Sequence, residues 1–238
     1  MSSSTWTPAA VASEARAWQG PAWRMVEAQH VASTMKLVDT PEEQDALEAL
    51  LEAGKPPLPP GAGALHYLLA TPFRYAPPPG GSRFRGPGDP GVFYGAQSLH
   101  TAAAELGYWR WRFLMEAQDL DQLGPVPHMG FCVSLDTRAI DLRDPPFDRD
   151  AAAWRHPRDY AATQAFARTA RQAGLGGIVY RSVRDPQPAW CVAVLTPTAF
   201  ATPAPDPASQ NWLLAVTRER VRWRRNGESI RFEADLWS

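Results

Sequence analysis

The sequence contains no apolar run approaching the roughly eighteen residues that a membrane-spanning helix requires, so no membrane span is expected. Only two of its 238 residues are cysteine, Cys132 and Cys191, each inside an apolar, strand-like run. Such cysteines commonly behave as small core residues, which favours two buried thiols over a disulfide. No pair of Cys or His has metal-ligand spacing, so no metal site is expected. Charge of one sign is also lacking: the formal net charge is −1. A chain without a basic field has no general attraction for a phosphate backbone, which argues against a nonspecific nucleic-acid binder. The opening Met1-Ser2-Ser3-Ser4-Thr5-Trp6 lacks the basic start and apolar stretch of a secretory signal, so a cytoplasmic setting is expected. No internal repeat is visible, and His30, His66, His100, His128 and His156 are scattered and read as structural or exposed residues.

What is present is an ordinary globular composition, 45% hydrophobic and 21% charged, with unusually many Trp (10) and Pro (24). The prolines cluster at Pro56 to Pro60, Pro77 to Pro79 and Pro203 to Pro207, where they stiffen connections. These clusters suggest an N-terminal helical extension over 1–63, a core domain over 64–204 and a β-hairpin over 205–238 packed on it. Strand-like runs outnumber βαβ units, so the expected fold class is α+β.

Along the chain, residues 8–54 read as helical. Pro8 opens a helix, Val11, Ala15 and Trp18 lie at helical spacing, and Thr40-Pro41-Glu42-Glu43 starts another that buries Leu47, Leu50 and Leu51. Glu27 and Gln29 are candidate lid contacts. Residues 65–73 read as a helical turn or strand, 92–94 as a short strand, and Ser98 as the N-cap of a helix through Met115. Strands are expected at 131–135, 139–142, 177–183 and 190–195, with a helix over 157–173 that Gly174 stops. A closing hairpin is expected from Trp212 to Trp223, then a turn at Asn226-Gly227, then 229–232. The basic run Arg218 to Arg225 reads as that hairpin's polar face. Gly61-Ala62-Gly63 is not a dinucleotide fingerprint, because it follows prolines rather than a strand.

Chemistry concentrates in four places. Arg83 sits in the loop Gly81-Ser82-Arg83-Phe84-Arg85, where glycine lets backbone approach a ligand closely and a guanidinium grips phosphate oxygens with a two-pronged fork. Arg85 is its neighbour and a second source of positive charge. Tyr94, followed by Gly95, offers a ring face to a flat ligand. Glu105 follows Ala102-Ala103-Ala104, so its carboxylate is expected to be half-buried and to need a partner, either Arg83 or a cationic transition state. Ser182 lies on a strand after Gly176-Gly177, flanked by Arg181 and Arg184, and has no His–Asp relay to make it a hydrolase nucleophile. Arg74 enters the same loop and is a candidate support for Glu105 or for the loop.

The order of these segments resembles the RES domain family, named for its Arg, Glu and Ser. Gly81-Ser82-Arg83-Phe84, the Gly86 to Gly91 loop, Phe93-Tyr94, Thr101 to Glu105 and Gly177 to Arg184 carry the resemblance, which covers about residues 65–200. It implies a fold similar to ADP-ribosyltransferase toxins and an enzyme that destroys NAD by hydrolysis or phosphorolysis, with NAD as substrate and no cofactor. Some relatives transfer ADP-ribose to a protein instead. The resemblance places Arg83 on the NAD phosphates, Tyr94 on the nicotinamide side, Glu105 beside the oxocarbenium-like ribose, and Ser182 in hydrogen bonds to nicotinamide or ribose. Arg83 and Arg85 both flank Phe84, and Arg83 is favoured as the family arginine because it directly follows the Gly-x pair. The family also implies an Xre-like helix-turn-helix antitoxin as partner. A homodimer is a further expectation, since ten Trp leave room for an exposed apolar patch. The rival readings are a nucleotide-binding or interaction module without chemistry, and a toxin acting on nucleic acid. Near-neutral charge and the lack of paired catalytic His or metal-binding acids argue against the latter.

Overall fold

The computed structural model describes residues 6–28 and 40–237. Helix α1 (Pro8–Glu14) is capped by the Thr7 hydroxyl, which accepts from the Ala10 amide, and it buries Val11. The chain then becomes strand β1 (Arg16–Glu27). This corrects the helical reading of that stretch: Gly20-Pro21 disfavours a helix interior, and Pro21 cannot donate the amide hydrogen a helix would need. The calls on residues 29–39, including Gln29 and His30, lie outside the described residues. Helix α2 (Pro41–Ala53) forms as expected, but Leu50 and Leu51 are 72% and 49% exposed. Its apolar stripe is interrupted by acids and is too narrow to dock a helix. Helix α3 (Tyr67–Arg74) turns Leu69 and Phe73 inward.

Strand β2 (Phe93–Ala96) leads into α4 (Leu99–Glu116), whose first turn is capped by Ser98 accepting from the Thr101 amide at 3.1 Å. Strand β3 (Gln122–Asp141) joins the two strands expected at 131–142 into one. Helices α5 (Ala151–Trp154) and α6 (Ala161–Gln172) follow, then β4 (Gly177–Arg181) and β5 (Trp190–Val194). The closing segment is a three-stranded meander, β6 (Gln210–Thr217), β7 (Arg220–Arg225) and β8 (Glu228–Glu233), rather than the expected hairpin. The chain reverses at Arg218-Glu219 inside the run read as one strand. The second reversal is at Asn226-Gly227, where φ values of 43° and 86° require the residues found there. Along β7, Val221 and Trp223 are buried while Arg220, Arg222 and Arg224 face out.

The sheet runs β1-β2-β5-β4-β3-β6-β7-β8, with β1 also paired to β3. Strands β1, β2, β5, β4 and β3 therefore close into a ring. The β1–β3 pairing is antiparallel from Arg16↔Ala139 to Glu27↔His128, whereas β1 touches β2 at Trp23↔Ala96. Among the described residues only β3 and β4 pair in parallel, and the fold is α+β. Alternate residues of the ring strands (Phe93, Phe131, Val133, Leu135, Val192, Val194) pack with Leu69 and Phe73 of α3 into one core. The second core lies among α4, α6 and the meander, around Tyr108, Phe166, Trp223 and Trp237. Each fully buried Phe or Leu in these layers contributes roughly 1.5–3 kcal/mol of transfer free energy. No helix among the described residues is long and apolar enough to cross a membrane.

Candidate active site

The loop before β2 is a tight reversal that separates two neighbouring arginines. The Ser82 amide donates to the Arg85 carbonyl at 2.7 Å and the Arg85 amide to the Ser82 carbonyl at 3.1 Å, leaving Arg83 and Phe84 at the tip. Gly81 makes this possible: its φ is +78°, and a Cβ there would lie 2.1 Å from the Arg85 carbonyl oxygen. Phe84 enters the core, fully buried, against Tyr180. Arg83 is buried beside it and donates Nη1 to the carbonyls of Trp154 and His156, both at 3.0 Å, with Cζ 4.7 Å from the Tyr160 ring centre. Arg85 turns the other way, donating Nε to the Asp89 carbonyl at 3.1 Å, and burial lowers its pKa.

Tyr94 fixes this reversal from β2. Its phenol oxygen accepts from the Phe84 amide at 2.9 Å and shares a 2.8 Å hydrogen bond with the Ser82 hydroxyl, so it grips the residues on both sides of Arg83. Burial raises the phenol's pKa above its ordinary 10.0, against the opposing pull of these hydrogen bonds and of Arg83 and Arg85. Helix α6 holds the loop from outside. Gln164 donates to the carbonyls of Gly80 (3.1 Å) and Ser82 (3.0 Å), Arg168 pairs with Asp89 at 2.9 Å, and Arg171 donates to the Gly91 carbonyl at 2.8 Å.

Glu105 sits nearly two turns into α4, half-buried, on the alanine face that packs into the core. Its Oε1 accepts from the Ser182 hydroxyl at 2.6 Å and from the Cys191 thiol at 3.7 Å. Its Oε2 has no hydrogen bond among the described residues. The expected partner for this carboxylate is Arg83 or a cationic transition state; among the described residues its hydrogen-bond donors are Ser182 and Cys191. Ser182 is 4% exposed and, besides donating to Glu105, accepts from the amides of Arg184 (3.3 Å) and Asp185 (3.1 Å). A hydroxyl has one donor and two acceptor positions, so this one is fully used. It is not among the residues that line the cavity beside Glu105.

Arg83, Tyr94 and Glu105 line one cavity of about 200 Å³; Arg85 and Ser182 do not. Arg184, expected beside Ser182, also lines the cavity, and further wall residues escaped the sequence reading: Trp23 and Arg24 from β1, Trp109 from α4, Tyr160 from the α6 N-terminus, and Tyr180. The β1 residues were hidden by the helical misreading, for which Gly20-Pro21 was the available counter-signal. Tyr180 and Cys191 are buried beside Glu105, and burial, with the adjacent negative charge, lifts both well above their ordinary pKa values. Arg74 instead donates to the Pro56 carbonyl, and Glu27 pairs with Arg110 of α4.

Three guanidinium groups and one carboxylate thus face the same cavity, and no carboxylate among the described residues is ion-paired to Arg24, Arg83 or Arg184. Such a wall attracts an anionic ligand and places a single fixed negative charge within it. No curated relative matches the chain. Among solved structures it is similar to a chain of the M. tuberculosis MbcT–MbcA toxin–antitoxin complex, at 13% identity and a TM-score of 0.45, over 94% of this chain and 89% of that one. The sequence model of the RES domain matches residues 58–217, a span that includes Arg83, Tyr94, Glu105 and Ser182, and the chain belongs to the RES domain family.

Proposed function

We propose that this chain is a toxin-type enzyme that cleaves the nicotinamide–ribose bond of NAD. The observation that carries the reading is the Glu105 carboxylate, held by Ser182 at 2.6 Å with Oε2 unbonded, in a cavity otherwise rich in arginine. Arg83 binds a phosphate of the dinucleotide through its Nε and Nη2, which make no hydrogen bond among the described residues. The cavity is smaller than the roughly 300–1,000 Å³ of sites that enclose a drug-sized ligand, so it takes the nicotinamide–ribose end and leaves the adenylate outside. The rings of Tyr94, Trp23 and Tyr160 give that end flat apolar surfaces.

The C–N bond breaks with its electron pair going to the nicotinamide nitrogen, which becomes neutral. Positive charge grows on the ribose, and Glu105 stabilises it from a fixed position, an arrangement worth a few kcal/mol. An acceptor oxygen then bonds to the ribose carbon and gives up its proton. Water as acceptor gives hydrolysis and phosphate gives phosphorolysis. Ser182 acts through Glu105 as a positioning residue and does not touch substrate. Membership of the RES family supports a cytoplasmic setting and a cognate antitoxin of helix-turn-helix type that blocks the cavity mouth.

The test is NAD consumption by purified protein, with and without phosphate, beside Glu105→Ala and Arg83→Ala. Loss of NAD by wild type and not by the variants supports the reading, and the product names the acceptor. Intact NAD under all conditions overturns it; labelled NAD appearing on a protein would instead identify a transferase.

A further inference from the structure

Helix α2 carries five acids, Glu42, Glu43, Asp45, Glu48 and Glu52, and neither Lys nor Arg. None of its described side chains is buried, and Leu50 and Leu51 are exposed. A helix of this length is marginal in water on propensity alone and gains most of its stability by packing a face. Its leucine stripe is too narrow to dock by apolar contact alone, so a surface that holds it must answer the acids as well. The outer face of the β6–β8 meander has the opposite character. The alternation that buries Val221 and Trp223 sends Arg220, Arg222 and Arg224 outward, and Arg231 of β8 is exposed beside them. Arg220 and Arg231 share Glu233, at 3.7 and 2.9 Å, whereas Arg222 and Arg224 make no ion pair among the described residues. The register sets Arg222 directly opposite Arg231, a like-charge pair that costs stability unless an anion lies over it. Exposed Leu213 stands opposite Arg224, and Ala215 opposite Arg222, which gives the arginines an apolar floor. Shallow hollows mark this face beside Leu213 and Arg224 and beside Ala215 and Arg222. Helix α2, β7 and β8 all lie outside the residues that the RES model matches.

We propose that two copies of this chain pair through these surfaces, α2 of each lying on the outer face of the other's meander. The acids of the helix sit over Arg222, Arg224 and Arg231, and its leucines rest against Leu213 and Ala215. In the single chain both surfaces are open together, since Leu50, Leu51 and Leu213 are all exposed, and a second copy covers both at once. The lengths agree: a helix of 13 residues is about 20 Å long, and strands of six to eight residues span about 20–26 Å. Opposite charge on the two faces sets the orientation and excludes pairing of helix with helix or sheet with sheet. Reciprocal docking uses each surface once per copy, so the pair closes about a twofold axis and does not continue into a filament. The inference does not depend on the cleavage reading, because none of these residues lines the cavity.

The test is sedimentation velocity on the full chain over a range of concentration and salt. The expected mass is that of two chains at low salt, falling toward one as salt rises and screens the contact. One double variant carries Arg222→Glu and Arg224→Glu, and the other Glu42→Arg and Asp45→Arg. Each is expected to weaken pairing by about tenfold or more. Their melting temperatures, compared with wild type at a dilution where all are single chains, should hold. The first variant turns the Arg222–Arg231 repulsion into an attraction, and the second changes exposed positions only. Should either fold poorly, Arg224→Glu and Asp45→Arg alone take their places. An equimolar mixture of the two variants is expected to recover the dimer, because each acidic helix then meets a basic sheet and each reversed helix a reversed sheet. Wild type that stays a single chain at every concentration overturns the proposal. So does a dimer that either variant leaves intact, or a mixture that stays monomeric. Loss of binding to a duplex DNA probe in the arginine variant, with its mass unchanged from wild type, also overturns it and gives the face to nucleic acid.

Discussion

The Ser182 hydroxyl donates to Glu105 Oε1 at 2.6 Å, a bond from a strand edge to a helix that fixes the cavity's one carboxylate. Ser182→Ala leaves Glu105 to rotate and strips two amides, those of Arg184 and Asp185, of their acceptor. NAD cleavage is expected to lose about 10–100-fold in kcat with little change in KM, since a group that acts on the transition state has lost its aim. Stability is expected to fall by about 1–3 kcal/mol. Steady-state kinetics and denaturant melts read the two effects separately. An unchanged kcat would remove Ser182 from the mechanism.

Tyr94→Phe deletes the oxygen that binds both Ser82 and the Phe84 amide. The ring remains in the cavity wall, so flat-ring packing survives while the Arg83 reversal loosens. The expected result is a KM for NAD raised about tenfold and a smaller loss in kcat, because on the proposed reading Arg83 would bind the phosphates in ground and transition state alike. A variant with kcat lost and KM unchanged would instead give the phenol a direct part in the chemistry.

Gln164→Ala tests the same loop from the far side. Its amide holds the Gly80 and Ser82 carbonyls yet is not part of the cavity wall. A rise of about threefold to tenfold in KM for NAD is expected, with the global melting temperature lowered by only a few degrees. Indifference of KM would show that Tyr94 alone sets the loop.

The pH dependence of stability has two limbs. His128 is buried against Trp223, and burial lowers its pKa below the ordinary 6.5. Below that pH the unfolded chain takes up the proton first, so stability falls on acidification. Tyr180 and Cys191 have pKa values raised well above 10.0 and 9.0, mainly by burial, so above pH 9 the unfolded chain loses protons first and stability falls again. Melting temperatures measured from pH 5 to 11 should be highest between these limits. Cys191→Ala should flatten the onset of the alkaline limb near pH 9, and persistence of that onset would assign it elsewhere.

What the sequence revealed was local. Ser98 declares the start of α4 by its cap, Gly81 and Gly91 bracket the arginine loop, and Asn226-Gly227 declares a turn. Arg83, Tyr94 and Glu105 were legible because short motifs in a fixed order carry them, and the structure brings these three to one cavity. Partners supplied by distant elements were not legible. Nothing near Glu105 in the chain names Ser182 as its donor, and nothing near Tyr94 names Arg24 or Gln164. The β1 error has the same root: a strand paired far along the chain leaves no local sign of its partner, while Val11, Ala15 and Trp18 mimic a helix. The leucines of α2 show the converse, a helix declared by its start whose Leu50 and Leu51 stay exposed among the described residues.

Strand β1 contributes Trp23 and Arg24 to the cavity, and its register ties Arg16 to Ala139 and Glu27 to His128. Contacts so distant in sequence form against a large loop-closure entropy and arrive late in folding. During synthesis the first strand leaves the ribosome long before its partner, so a nascent chain holds the Glu105 carboxylate in a helix with no cavity around it. Activity of the kind proposed would therefore switch on in a single step, when the first strand returns to the third, and the cell would meet the finished enzyme rather than a partly active precursor.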